Sequence, residues 1–286
     1  MIAALLLVLQ ATAGAPRTPP ARTVNDAART PARVARGHAR PAHRAPRHIV
    51  VVDAGHGGID NGMSGPIGAD HPVHEKDITL AVAKRLGAAL RKRGIGVVMT
   101  RTTDTLIALA DRGRIANQRH GDLFISIHVN AANPHWSHPA SVRGFETYFL
   151  SEAKTEDAKR VEKMENSSVR FETGASAAKD DPLNFIINDM AQNEHLRESS
   201  DLANDIQTQL ATVEPGDDRG VKQAAFVVLV TAYMPAVLVE IGFGSNPAEA
   251  HFLTTPAKQQ KIANAIADAT VEYLDGYDRR LGVASP

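Results

Sequence analysis

The sequence of 286 residues contains no cysteine, which excludes disulfide bonds and thiolate ligands for a metal ion. Hydrophobic runs long enough to cross a bilayer are also missing. The stretch that comes nearest, residues 224–243, is divided by Pro235 and interrupted by Glu240. We therefore expect two buried strands joined by a turn in this stretch rather than a membrane helix.

Negative charge is scarce at the start of the chain, and the body carries an excess of acids. Residues 1–47 hold eight arginines and one acid, which leaves 24 basic and 31 acidic residues in 48–286. Aromatic residues make up only 5% of the chain. An acidic body with few aromatic residues argues against a nucleic-acid partner.

The first 47 residues show two patterns, neither of which is typical of a packed domain. The apolar run of residues 2–9 is followed by small residues, which predicts a signal peptide over residues 1–15. Residues 16–47 are rich in Pro, Ala and Arg and have no apolar periodicity, which predicts a disordered linker. We therefore expect an exported protein whose folded part begins near residue 48.

Strand and helix patterns alternate over residues 48–281. The predicted strands are "HIVVVDA", "IGVVMTR", "DLFISIHV", "GFETYFL", "AFVVLV" and "PAVLVEIGF". Amphipathic helical patterns separate most of them, and "TPAKQQKIANAIADATVEYLDGY" predicts a closing helix. The alternation predicts a single α/β domain, with a central, mostly parallel or mixed sheet of about six strands flanked by helices on both faces.

Polar side chains follow or interrupt several of these strands. His56 comes directly after the first strand, and Glu75 begins the helix that follows the next loop. His128 and Asn130 stand at the end of "LFISIHVNA", and Glu240 lies inside an apolar run. Because function gathers at the carboxyl ends of strands in open α/β sheets, we expect these side chains to lie close together.

Each of these residues taken alone has a structural explanation. His56 can be a turn residue, His128 a hydrogen-bonded core histidine, and Glu75 a residue favoured by the helix dipole. Glu240 is harder to explain, because an acid among apolar residues is costly to bury unless it is paired, bound to a metal or functional. Two histidines and two acids are what a catalytic zinc site requires: three ligands, one open position, and one carboxylate that moves protons.

The segments that carry these residues resemble the zinc-dependent N-acetylmuramoyl-L-alanine amidases of bacterial cell-wall remodelling. The similar segments are "VVDAGHGGIDNG", "HEKDITLAVAKRL", "RGRIANQR", "FISIHVNAA", "GFETYFLSE" and "AVLVEIGFGSNPAE". They cover about residues 50–275 in the family's order. The resemblance as a whole is therefore far more specific than any one motif.

The resemblance implies both a site and a reaction. One zinc ion per chain would be bound by His56, Glu75 and His128, and Glu240 would be the catalytic acid and base. The substrate would be the amide between the lactyl group of N-acetylmuramic acid and L-alanine in peptidoglycan. The expected setting is the periplasm, where a monomer would serve cell-wall remodelling and the separation of daughter cells.

Other polar residues near these segments have more than one interpretation. Asn130 can hydrogen-bond substrate or shape a turn. Asp53 and Asp60 can fix a histidine tautomer or cap turns, and His74, beside Glu75, is the main rival ligand. Three further histidines in predicted loops are expected to be solvated: His71, His135 and His138.

Residues 151–200 form a long, polar, acid-rich stretch. Similar exported amidases that act in cell division carry an inserted helix here, which blocks the zinc until an activator protein displaces it. We hypothesise that part of 160–195 occludes the site, with Glu165 or Glu172 as a blocking fourth ligand. The alternative is an ordinary surface excursion.

Two alternative functions are compatible with part of this prediction. A zinc peptidase acting on cell-wall peptides would use the same metal site on another bond. A peptidoglycan-binding module without catalysis would keep the fold alone. The presence of all four site residues argues against the second, because a binding module has no need of Glu240.

Overall fold

The computed structural model describes residues 46–172 and 182–282. The predicted signal peptide over 1–15 lies outside the described residues, as does nearly all of the predicted linker over 16–47. Within the proposed occluding segment, residues 173–181 and the side chains of 182–194 also lie outside them.

Six strands form one central sheet in the order β4-β1-β5-β8-β6-β7. Their bounds are β1 Ile49–Ala54, β4 Gly96–Met99, β5 Leu123–Asn130, β6 Phe145–Leu150, β7 Asp218–Ala224 and β8 Ala236–Phe243. The first four in spatial order are parallel, whereas β6 runs antiparallel to β8 and parallel to β7. Two short strands, β2 Ser64–Gly65 and β3 Val73–His74, pair beside this sheet. The prediction of a mostly parallel, mixed sheet is confirmed.

Seven α-helices lie in the described part of the chain. They are α1 Glu75–Lys92, α2 Leu109–Gln118, α3 Glu156–Asn166, α4 Pro182–Leu210, α5 Val227–Val230, α6 Pro247–Thr254 and α7 Pro256–Arg280. Residues of α1, α4, α6 and α7 join one buried apolar cluster, and residues of α2, α3 and α5 join another. Helices therefore cover both faces of the sheet, as predicted. None of the helices in these residues is long and apolar enough to cross a membrane.

The local sequence explains the first helix, which carries one of the expected ligands. Ile78, Val82, Leu86 and Leu90 recur at fourfold spacing and are all buried in the cluster beneath the sheet, as a 3.6-residue period requires. The chain leaves the helix at Gly94, whose φ of 83° suits glycine. The first residue of this helix, Glu75, lies at the carboxyl edge of the sheet.

One strand prediction is wrong, and one strand was not predicted. The run "AFVVLV" forms the short helix α5, which packs against the α2 and α3 face, so residues 224–243 contain one helix and one strand instead of two strands. The polar segment "DRGVKQA" forms β7 instead. Since β7 is an edge strand with a single neighbour, it does not need the apolar residues of a central strand.

Alternation along the strands decides which side chains reach the α2 and α3 face. In β5, Leu123, Ile125, Ile127 and Val129 pack with the opposite cluster. His128 and its alternate neighbours therefore point to the α2 and α3 face. The same alternation in β8 and β6 sends Glu240 and Glu146 to that face, and the register pairs Glu146 with Glu240 and Glu240 with His128.

Two other buried acids lie near the start of β6, away from the side chains of His128, Glu240 and Glu146. Glu249 of α6 accepts hydrogen bonds from the backbone N–H groups of Gly144 and Phe243 at 2.8 and 2.6 Å. Glu214 is 8% exposed, and its Oε1 has no hydrogen-bond partner in the described part of the chain. Burial and the nearby charge of Glu249 raise the pKa of Glu214 to about 9.

Glu214 generates a prediction for the pH dependence of stability. The folded protein keeps this proton up to about pH 9, whereas the unfolded chain loses it near 4.5. Within this window the unfolded state binds fewer protons, so the free energy of unfolding falls as pH rises. We expect Glu214→Gln to raise the free energy of unfolding at pH 8 by about 2 kcal/mol or more, and to change it little at pH 4, as measured by urea denaturation.

The matched control is Glu152→Gln, which neutralises an acid at an exposed position. It should leave the stability unchanged at both pH values. An equal gain in both variants at pH 8 would contradict the assignment to Glu214.

Candidate metal centre and active site

Three of the residues predicted to bind a metal converge with a fourth, Glu165. Glu75 Oε1 lies 3.1 Å from His56 Nε2 and 3.2 Å from His128 Nδ1. Glu165 Oε2 lies 3.0 Å from His56 Nε2 and 2.8 Å from His128 Nδ1. All four side chains are buried, and their four ligand atoms lie within 4.8 Å of one another.

These short contacts do not have hydrogen-bond geometry. His56 Nε2, His128 Nδ1 and both carboxylate oxygens of Glu165 have no hydrogen-bond partner among the described residues, although they are fully buried. Buried polar atoms are almost always paired. Unpaired imidazole nitrogens and a carboxylate that face each other fit the ligand set of a divalent metal ion such as zinc.

The electrostatics of the cluster also favour a cation. Burial opposes charging of the His56 ring, but the carboxylates of Glu75 and Glu165 outweigh burial and raise the pKa of His56 well above its ordinary value. The same balance raises the pKa of His128 to about 9. The cluster therefore holds positive charge strongly, whether protons or a metal ion supply it.

The backbone at His56 is held in an uncommon conformation. Its φ of 59° lies in the left-handed region, which is costly for residues other than glycine and is found mostly at functional sites. Asp60 lies 2.8 Å from His56 Nδ1 through its Oδ2, so the carboxylate fixes the tautomer that leaves Nε2 free for a metal. Of the two aspartates considered from sequence, Asp60 has this position.

Gly55 explains why a glycine must precede this histidine. A Cβ atom on Gly55 would lie 2.6 Å from Cε1 and Nε2 of the His128 ring. That distance is far shorter than real Cβ contacts, so the ring of His128 packs directly against the backbone of the first turn. The glycine brings the two histidines, one from each neighbouring strand, to the same point.

Glu75 is fixed by backbone groups from two other segments. Its Oε2 accepts a hydrogen bond from the N–H of Met63, and its Oε1 accepts one from the N–H of Val129, both at 2.8 Å. Burial opposes ionisation, but His56 and His128 hold the pKa of Glu75 far below its usual range. The carboxylate is therefore charged and aimed at the histidines, and helix dipole preference alone does not explain it.

Glu240 lies beside the cluster without joining it. Among the residues that the structure describes, neither of its carboxylate oxygens has a hydrogen-bond partner, and the side chain is completely buried. Burial, followed by the charges of Glu165 and Glu75, raises the pKa of Glu240 well above its ordinary value. A carboxyl group with a raised pKa and free lone pairs suits a group that takes up and returns a proton.

Arg112, which sequence reasoning missed, supports the first turn from behind. Its guanidinium donates to Asp53 at 2.9 Å, to the carbonyl of Ala54 at 2.7 Å and to the carbonyl of His56 at 2.9 Å. Asp53 also accepts from Thr100, and it pairs with Arg112 rather than with either histidine. The signal in the sequence was weak, because nothing near "RGRIANQR" shows that this arginine is buried.

Asn130 and Glu146 extend the polar surface beyond Glu240. Asn130 Nδ2 donates to Glu146 Oε1 at 2.7 Å, and Asn130 Oδ1 accepts from Arg160 Nη2 at 3.3 Å. Both Asn130 and Glu146 are completely buried. Glu146 was also missed from the sequence, because "GFETYFL" predicted a strand with one solvated face. Helix α3 covers that face through Val161, which is fully buried.

The structure separates the two candidate blocking acids. Glu165, near the end of α3, lies in the cluster, whereas Glu172 lies outside it. Glu172 Oε1 instead accepts a hydrogen bond from the N–H of Leu109 at 2.8 Å, the first residue of α2. This is a helix-capping position, and it explains the acid without a metal.

The other histidines considered from the sequence lie outside the cluster. His74, the rival ligand, is half-buried and contacts the hydroxyl of Ser64 at 2.9 Å through Nδ1. The three loop histidines are exposed, as expected: His71, His135 and His138.

A parallel-sheet α/β domain with this cluster at its carboxyl edge and a spare carboxyl group beside it has the framework of a metal-assisted hydrolase. The family model of N-acetylmuramoyl-L-alanine amidase matches residues 50–272. The chain belongs to this family, and its activity is that of a peptidoglycan amidase.

Individual relatives agree with the family match. The N-acetylmuramoyl-L-alanine amidase AmiA of Escherichia coli (strain K12) is 36% identical over 249 residues, which cover 85% of this chain and 83% of AmiA. The crystal structure of an N-acetylmuramoyl-L-alanine amidase from Clostridium difficile 630 superposes with a TM-score of 0.60 at 28% identity, covering 80% of this chain and 98% of that one. The CwlD amidase from Clostridioides difficile, solved in complex with the GerS lipoprotein, superposes with a TM-score of 0.57 at 25% identity, covering 80% and 99%.

The close contact at Gly55 can be tested directly. Gly55→Ala places a methyl group against the ring of His128, so we expect it to displace this ligand and weaken metal binding by about tenfold or more, the scale of altered ligand orientation. Competition with a chromophoric chelator measures the affinity, and circular dichroism checks that the chain is folded.

The control is Gly276→Ala in α7, where the nearest atom to the new methyl group is 3.7 Å away. It should bind metal as the parent does and be slightly more stable, because alanine favours the helix. Equal metal affinity in the two variants would show that the room beside His128 is not needed.

Proposed function

We propose that this chain hydrolyses the amide between N-acetylmuramic acid and L-alanine in peptidoglycan with one zinc ion held by His56, Glu75 and His128. The observation that carries the proposal is the convergence of two unpaired imidazole nitrogens and a charged carboxylate on one buried point. When bound, zinc lowers the pKa of a water molecule to about 7 and stabilises the charge that develops on the amide oxygen.

The chain's own residues would move the protons. Glu240 is a buried carboxyl group whose two oxygens accept no hydrogen bond from the described residues, so it can accept the proton of the attacking water and return one to the departing L-alanine nitrogen. Asp60 holds the ring of His56 from the other side. The burial of these groups keeps bulk water away from the proton path.

Asn130 is proposed to hydrogen-bond the substrate. Its Oδ1 accepts from Arg160 of α3 at 3.3 Å, which is a long contact. If α3 moves, this oxygen keeps the hydrogen bond from the N–H of Ala131 at 2.8 Å and can accept an N–H group of the peptide in place of Arg160, while Nδ2 stays fixed by Glu146.

We also propose that α3 inhibits the enzyme by occupying the metal centre. Glu165 would be the fourth ligand, at the position that a catalytic zinc site leaves open for water and substrate. Ser168, just after the helix, approaches His56 Nδ1 at 3.4 Å, so the covering extends past the end of α3. An activator protein would release it; the relative solved as a CwlD–GerS complex supports a partner of this kind.

Export to the periplasm and a part in daughter-cell separation complete the proposed function. The apolar run and small residues within 1–15 support a signal peptide. The peptidoglycan substrate itself lies outside the cytoplasm, so an amidase of this family needs export to reach it.

The inhibition by Glu165 leads to a prediction. Glu165→Ala removes the blocking ligand and leaves three others, so basal hydrolysis of purified peptidoglycan should rise by about tenfold or more, as the competent fraction grows. Release of soluble peptide per unit time measures this. The zinc content should remain near one per chain.

Glu172→Gln is the control within the same segment. It keeps an oxygen that can accept from the N–H of Leu109, and it lies outside the metal cluster. Basal hydrolysis should stay at the parental level. A rise in hydrolysis by this variant and none by Glu165→Ala would show that Glu165 is not the blocking acid.

The role of Glu240 and the bond that is cut can be tested together. In the Glu165→Ala background, Glu240→Gln should reduce the rate by at least about 100-fold, because the side chain can no longer carry a proton, while zinc binding is kept. A chelator should abolish hydrolysis in the parent.

Mass spectrometry of the products separates the three candidate functions. Free peptides that begin with L-alanine are expected from the amidase. Products cut within the peptide would identify a peptidase, and binding of peptidoglycan without any product from the Glu165→Ala protein would identify a binding module.

A further inference from the structure

A cluster of charged side chains lies on the α2 and α3 face beyond Glu240, and its two cations from β7 have no role in the steps above. Its centre is Glu146, which is completely buried. Arg219 Nε donates to Glu146 Oε2 at 2.9 Å, and Lys222 Nζ donates to the same oxygen. His128, Glu240 and Glu146 form a row of polar side chains on three neighbouring strands, which starts at the metal centre. The two cations of β7 continue this row.

The local structure of β7 aims these cations at the row. Between the pairs Phe145–Asp218 and Thr147–Val221 the register of β7 shifts by one residue. The extra residue is accommodated at Gly220, whose φ is 77°, as in a β-bulge with glycine in the left-handed region. Bulges redirect side chains, and here the bulge turns Arg219 towards Glu146.

The carboxylate of Asp157, in the first turn of α3, closes this cluster from above. It accepts from Arg219 Nη2 at 3.0 Å and from Lys222 Nζ at 3.2 Å, and it pairs with Arg160 of its own helix at 3.0 Å. With α3 in place, Arg219 and Lys222 contact two carboxylates, those of Glu146 and Asp157. If α3 leaves, it removes one acid and one base, Asp157 and Arg160, so the net charge is unchanged, but the two half-buried cations keep only the carboxylate of Glu146 and can pair with another anion at the place of Asp157.

Helix α3 thus contacts the row at two separated points with carboxylates. Asp157, Val161 and Glu165 follow one another at fourfold spacing, so they lie on one side of the helix. Asp157 and Glu165 are eight residues apart, about 12 Å at the helical rise. An extended peptide covers this distance in about three to four residues.

We infer that Arg219 and Lys222 form a subsite for a carboxylate of the substrate's peptide, about three residues from the amide that is cut. The inference rests on the proposed function. In that substrate the lactyl carboxyl group is consumed in the scissile amide, so the free carboxylates belong to the peptide. Glu165 then occupies the place of the reacting amide and Asp157 the place of the peptide carboxylate.

The test compares two N-acetylmuramoyl tripeptides that begin with L-alanine and differ only in a carboxylate or a carboxamide on the third residue. The protein is the full chain carrying Glu165→Ala and Glu240→Gln, so binding is measured by calorimetry without turnover. We expect the carboxylate peptide to bind about tenfold more tightly, the scale of one charge-assisted hydrogen bond.

Substitutions of Lys222 test whether this residue causes the preference for the carboxylate peptide. Lys222→Met should reduce the preference to about one, and Lys222→Arg should restore it because the charge is kept. Arg93→Gln is the control: it removes a surface cation that pairs with Asp268 at the far end of α1, and it should keep the preference. Circular dichroism and zinc content check that each variant is folded.

A substitution on α3 also tests the subsite. Asp157→Asn should strengthen binding of the carboxylate peptide in the chain that keeps Glu165, since it removes the competing anion. Equal binding of both peptides, no binding of either, or a preference that survives Lys222→Met overturns the subsite. Hydrolysis is scored separately in the chain with Glu240 intact, so failure of the amidase proposal is distinguishable from failure of the subsite.

Discussion

The structure depends on a balance of charge at one buried point. Glu75 and Glu165 lie in contact with two imidazole rings, and Glu240 lies beside them without a hydrogen-bond partner from residues 46–172 or 182–282. Burying acids together is unfavourable unless positive charge is present. The raised pKa values of both histidines show how strongly the cluster attracts that charge. The support at Arg112, the glycine at position 55 and the two backbone donors to Glu75 all serve to hold these groups together.

The sheet gives this balance its geometry. His128, Glu240 and Glu146 stand side by side on three neighbouring strands, all pointing to the face that α3 covers. The strand register therefore fixes the distance between the metal centre at one end of the row and the cations at the other end. A single helix laid across the row can contact both ends, and in the described residues α3 does so through Asp157 and Glu165.

Much of the site could be predicted because strand ends are visible in a sequence. His56, His128 and Glu240 interrupt or follow apolar runs, and a parallel sheet brings such positions to one edge. Glu75 begins the helical pattern that follows the loop after the first strand. The partners that hold them could not be found in this way. Arg112 lies on a helix, and its acceptors in the first turn, on Asp53, Ala54 and His56, are more than fifty residues away in the sequence. The edge strand β7 has no apolar alternation to reveal it, so the cations near Glu146 were missed with it.

The mixed direction of the sheet divides the work between two halves of the domain. The residues proposed to carry out the reaction come from the parallel half and the helix that follows β1, whereas Glu146, Arg219 and Lys222 come from β6 and β7, which run the other way. The loops that enter these two strands contain none of the proposed metal ligands. Insertions or substitutions there can change which peptide is recognised while the hydrolytic chemistry is preserved. A fold of this kind is suited to diversify its specificity among cell walls of different composition.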